Sequence, residues 1–286
     1  MQQLTRMLVK GASLTLVLAL TACSGEEAAP PQEPAAAPEP VKNTPPPQLD
    51  LAELTAAADE IALVPSPGEM QRALDAAGIQ AQLADSVQAR TLKMEVPNKD
   101  QVAVRTGVVL ADLLLTVKSA ETAALVGHLD SVKAGMTQLG AGSDIPATID
   151  DMKARIDNDS VTRDDLIKEL DELSGAVIPE LEYESGDRAV PLIQAGSWLE
   201  GANLVAGAIR ASGNFGAADE LLKQPAVVGY FQKYVANEGA DKAPSDVIAQ
   251  LTTTLDTLAE ICGHETLSEE DVNTIHTTTS AVLDLL

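Results

Sequence analysis

Aromatic side chains are nearly missing from this chain, which has one tryptophan, three tyrosines and two phenylalanines in 286 residues. Trp198, Tyr183, Tyr230, Tyr234, Phe215 and Phe231 are too few to build stacking platforms for bases or sugars. A core without them is made of Leu, Val, Ile and Ala, which suits closely packed helices. Cysteine is scarcer still, with only Cys23 and Cys262. Basic residues are outnumbered, 19 Lys and Arg against 43 Asp and Glu. Such a charge repels phosphate backbones and anionic headgroups, so it argues against nucleic acid as a partner and against a peripheral membrane-binding face. Strand-like alternation is absent, and so is any repeat of fixed period.

The signatures of catalysis are missing as well. There is no Gly-x-Ser-x-Gly elbow, no phosphate-cradling glycine loop and no His-Glu-x-x-His. "GAGS" (140–143) follows no strand and reads as a loop between helices. "DNDS" (157–160) fails as a calcium loop, because EF-hand spacing from Asp157 puts Val161 and Lys168 at ligand positions. "CGHE" (262–265), with His276 one helix later, holds metal-ligand residue types but lacks the second short-spaced pair of a closed zinc site. Cys262 instead completes an apolar stripe, Gly263 stops the helix and His264 complements its C-terminal dipole. His128 sits beside a leucine stripe and reads as a partly buried core histidine. No catalytic residue, metal or cofactor is expected.

What is present begins at the amino end. Arg6 and Lys10 precede a short apolar run, "GASLTLVLAL" (11–20), and then Leu20-Thr21-Ala22-Cys23. Charge, apolar run and box together resemble the signal and lipobox of bacterial lipoprotein precursors. The resemblance implies an export signal over 1–22, diacylation of Cys23 and cleavage before it. Two or three acyl chains hold a protein stably on a membrane, at ~0.8 kcal/mol per buried methylene, where one chain does not. Ser24 stands where an inner-membrane retention aspartate would be, so the resemblance points to the outer membrane and the cell envelope. With Cys23 lipidated, Cys262 has no partner for an internal disulfide. Loss of the signal leaves 17 basic residues against 43 acidic ones, net −26.

Residues 23–48 carry the lipidated cysteine and a Pro/Ala/Glu tether with eight prolines, biased to extended polyproline II and without a packed core. At ~3.1 Å per residue it reaches roughly 75–80 Å. Residues 49–286 then read as one all-α, multi-helix domain. "SPGE" (66–69), "NKDQ" (98–101), "TRDD" (162–165) and "SEED" (268–271) are helix starts. Leu125, Leu129, Val132, Met136 and Leu139 step by 4, 3, 4 and 3, and Ile248, Leu251, Leu255, Leu258 and Cys262 by 3, 4, 3 and 4. Two segments, 107–117 and 189–209, are apolar nearly all round and are predicted to be the central helices.

Inside those two segments stand Asp112 and Glu200, the latter two residues after Trp198. Buried carboxylates need partners or stay protonated. Arg105, seven residues before Asp112, is the cation expected to approach it or Glu200. The four residues are read as a buried ion network that fixes helix register. The alternative is a polar pocket walled by Trp198. "SPGEMQRALDAAG" (66–78), "TGVVLADLLL" (106–115) and "AGSWLEGA" (195–202) resemble segments of a family of exported helical bacterial proteins of unassigned function. That resemblance implies a shared fold type centred on Asp112, Trp198 and Glu200, and no activity. The leading expectation is a non-catalytic binding or scaffold module on the envelope. The alternatives are a hydrolase using Asp112 and Glu200 as acid and base, and a small-molecule carrier with an apolar interhelical cavity.

Metabolic labelling with an alkyne fatty acid checks the lipid site: Cys23→Ser should abolish the label and leave unprocessed precursor, and continued labelling of the variant rules the site out.

Overall fold

The computed structural model describes residues 67–87, 92–185, 188–239 and 245–286. The expected signal (1–22), Cys23 with its tether (23–48), and Ser66 of the first helix start lie outside the described residues. Every regular element that is described is a helix: α1 (Pro67–Ala77), α2 (Gln80–Ser86), α3 (Lys99–Thr116), α4 (Thr122–Leu139), α5 (Asp144–Asp157), α6 (Arg163–Ser185), α7 (Ala189–Ser212), α8 (Ala218–Leu222), α9 (Pro225–Tyr234), α10 (Ser245–Cys262) and α11 (Glu269–Leu283). A 3₁₀ turn (Phe215–Ala217) precedes α8, and a π turn (Val235–Gly239) extends α9. Together they form a single multi-helix domain. Among the described residues no helix is long and apolar enough to cross a membrane.

The helices begin where their capping residues dictate. Asn98 accepts from the amides of Asp100 (2.9 Å) and Gln101 (3.4 Å) at the start of α3. Thr162 accepts from the Asp165 amide at 3.1 Å before α6. Ser268 and Asp271 close a reciprocal capping box on α11, each side chain accepting from the other residue's amide. Gly140 ends α4 at φ +99, a conformation that costs a residue without a side chain nothing.

The two apolar segments are the spine, and α3 and α7 make the most extensive helix contact in the domain. They run parallel. Asp100 meets Arg188 at 3.0 Å near their first turns, and Leu115 packs against Gly201 further along. Between these points the backbones touch. A Cβ on Gly107 would be driven into the main-chain carbonyl of Ile193, and one on Gly196 into that of Val104. A third glycine, Gly135 of α4, admits the Thr106 side chain of α3 in the same way. Two large apolar cores lie against the spine, and a small third cluster joins Val108 and Leu199 to Val282 and Leu283 of α11. One large core gathers α3 to α6 with Val190 and Ile193 of α7. The other gathers α1, α2 and α8 to α11 with Leu115 of α3 and Leu204–Ile209 of α7.

Surface cations cross-link neighbouring helices: Lys133 to Asp150 at 2.5 Å and Lys153 to Asp130 tie α4 to α5, and Arg155 to Glu169 ties α5 to α6. Such exposed pairs contribute at most about 1 kcal/mol each.

Gly107→Ala and Gly196→Ala should each cost about 2–4 kcal/mol, because the added methyl meets a backbone carbonyl that cannot move aside without parting the spine. Gly127→Ala and Gly229→Ala, in open surroundings within helices, should gain about 0.5–1 kcal/mol. Denaturant midpoints for the four variants check the contrast.

Candidate functional site

Asp112 lies one turn after Val108 and one before Leu115 on α3, between rungs of the contact with α7. The parallel register therefore places it at the level of Glu200. Both carboxylates are deep, Asp112 5 % exposed and Glu200 fully buried. Thr116 donates to the Asp112 carbonyl at 2.5 Å, and Thr106 to the Val102 carbonyl at 2.7 Å, so these hydroxyls are satisfied within their own helix. Gln71 of α1 and Gln80 of α2 donate to the Leu114 and Leu115 carbonyls (2.5 and 3.1 Å), two of the acceptors that α3 leaves open at its C-terminus.

The other two members of the expected cluster are turned elsewhere. The Arg105 guanidinium donates to the Lys93 carbonyl at 2.6 Å and to the main-chain oxygen of Leu286. Spacing by seven puts Arg105 and Asp112 on one face, but two turns apart. Side chains on a helix lean toward its N-terminus, so Arg105 points away from Asp112 and ties the loop before α3 and the residue Leu286 to α3. Trp198 is two residues from Glu200, and residues so spaced look out from nearly opposite sides of a helix. Its ring packs 5.3 Å from Phe231 of α9, and its Nε1 donates to Gln224 Oε1 at 3.0 Å. The Trp198 wall is thus part of the α7–α9 contact.

Glu200's own face carries a residue that the sequence reading passed over. Asn203, 1 % exposed, sends Nδ2 to the His276 carbonyl (3.0 Å), Thr279 Oγ1 (3.0 Å) and Ser280 Oγ (2.7 Å), all on α11. A carbonyl only accepts, which assigns the amide nitrogen to that side. The available signal was a lone amide three residues after Glu200 in an apolar run.

The "CGHE" segment is a structural corner. Lys223 holds the turn after α10 by donating to the His264 (2.5 Å) and Glu265 (2.9 Å) carbonyls, and Asp219 accepts from the Leu267 amide at 2.7 Å. His264 Nδ1 lies 3.1 Å from Asp271. Cys262 is free and buried, and burial pushes its thiol up despite a backbone bond at Gln224 and the nearby Lys223 charge. His128 is half-buried, and burial holds it below the ordinary histidine range. Among the described residues no three His, Cys, Asp or Glu side chains converge to hold a metal ion. An open groove of about 570 Å³ runs along the outer face of α11, lined by Glu269, Glu270, Asn273, Thr274, Thr277 and Thr278.

No family model, curated protein or solved structure matches this chain. The geometry therefore stands alone.

Burial works to raise the Asp271 carboxyl, but the Ser268 hydroxyl and amide, with His264, hold it below its ordinary value. Its contribution is present above the unfolded carboxylate range, near pH 4 (about), and is lost as pH falls through the lower folded value. Asp271→Asn should cost about 1 kcal/mol at neutral pH. The difference from wild type should shrink on acidification, read from urea midpoints across the acid range.

Proposed function

We propose that this chain is a lipid-anchored module of the bacterial cell envelope, carried by acyl chains on Cys23 and held off the outer membrane by residues 24–48. Its helical domain works by binding or scaffolding. The anchor part rests on Leu20-Thr21-Ala22-Cys23 behind a charged, apolar leader. The non-catalytic part rests on one observation, the depth of Asp112 and Glu200. An acid and base for hydrolysis must reach a substrate, and these two carboxylates are buried, at 5 % and zero exposure.

A carrier needs an apolar cavity, whereas the groove on α11 is open and lined by carboxylates, hydroxyls and an amide. Neither that groove nor the buried acids favour the carrier or the hydrolase over a module that presents a rigid acidic surface on a tether.

Washed outer membranes treated with a protease that cuts Pro/Ala/Glu-rich segments should release a soluble fragment starting between residues 24 and 66 that still unfolds cooperatively. Release of the whole chain by high salt alone overturns the anchor. Turnover of an ester or glycoside substrate that is lost in both Asp112→Asn and Glu200→Gln, each still folded, overturns the non-catalytic reading.

A further inference from the structure

α11 lies along the C-terminal half of α7, and one imidazole stands in that contact. His276 covers Gly207: a Cβ there would lie 3.4 Å from ring Cδ2 and 3.5 Å from Nε2. Ser86 Oγ of α2 borders the same point at 3.4 Å, its hydroxyl donating to the Gln82 carbonyl at 2.8 Å. Ring Nδ1 lies 2.9 Å from Arg210 Nη1, on the residue three beyond Gly207. A guanidinium offers only donors and keeps its charge at any pH a protein survives. Nδ1 must therefore carry the lone pair, and the imidazole is neutral with its proton on Nε2.

The charges around the ring all act in one direction. Among the described residues, Arg210 of α7, itself an exposed side chain, is the charged group that acts on the ring, and α2 presents the uncharged Ser86. Burial and the Arg210 charge both hold the imidazole below the ordinary histidine range. The main chain of the same residue is clamped too, since the His276 carbonyl accepts from Asn203.

We propose that His276 is a proton-sensitive latch between α7 and α11. A proton taken up at Nδ1 turns the acceptor into a donor, breaks the bond to Arg210, sets two cations side by side and loosens α11. The sign follows from linkage. A histidine harder to protonate when folded contributes fully above its unfolded value, and that contribution is lost as pH falls through the folded one. His264, in the turn before α11, faces the Asp271 carboxylate at 3.1 Å. His128 lies on α4, in the other core. The latch stands independently of the envelope reading.

Hydrogen exchange of the full chain tests it, with α11 protection corrected for intrinsic rates and compared between about pH 7.5 and pH 5. Wild type should lose α11 protection severalfold while α3 holds. His276→Gln keeps an acceptor for Arg210 and takes up no proton. Arg210→Gln can donate to a neutral ring or accept from a charged one. Both variants should keep α11 protection across the range. An equal loss in His276→Gln overturns the latch, as does an unchanged wild type. Titration of the His276 ring by NMR at or above the ordinary histidine value overturns it without any variant.

Discussion

Gly107 and Gly196 set the distance between α3 and α7, and the remainder of the domain is arranged around that distance. Where each helix lacks a side chain, the other's carbonyl occupies the space. Backbones in contact leave no room for side chains to absorb a shift, so sliding or rotating one helix drives a carbonyl into a main chain. Contacts of this closeness also bring Cα–H groups onto carbonyl oxygens, a small favourable term at each crossing. The spine has one register, and the two cores are built outward from it. Thr106 against Gly135 extends the same close approach to α4.

A spine with a fixed register can carry polar groups inside, and this one does. Asp112 and Glu200 are placed at one level, and Asn203 binds α11 through three acceptors. Buried polar groups are costly when a partner moves away, so these groups reward only the packing in which all the helices are in place. The proposed role of these groups is to discriminate between arrangements that leucine and alanine alone would leave nearly equal. Polar atoms that specify packing in this way are held too deep to meet a substrate, which joins the energetics of the fold to the binding or scaffold reading.

The acidic surface has a similar division of labour. The few cations are spent between helices, as Lys133, Lys153 and Arg155 bind α4, α5 and α6 into one layer. Most other described acids face solvent, with Asp112, Glu200 and Asp271 the buried exceptions. If the proposed anchor holds it beside anionic headgroups, such an acidic domain would be repelled from them.

The amino-acid sequence by itself determined the helical class, the caps at Asn98, Thr162 and Ser268, and the two apolar segments that became the spine, because these depend on neighbours within a turn or two. It marked Asp112 and Glu200 as buried because a charge in an apolar run has nowhere else to go. It misplaced Arg105 and Trp198, since heptad spacing and adjacency ignore the lean of a helical side chain and the 100° turn between residues. Asn203, the Gln71 and Gln80 bonds to α3 and the His276–Arg210 contact were decided only by tertiary structure. Each joins residues from 35 to 77 positions apart, and a hydrogen-bond partner that distant is selected by how helices cross, which in this domain follows from where two glycines let backbones touch.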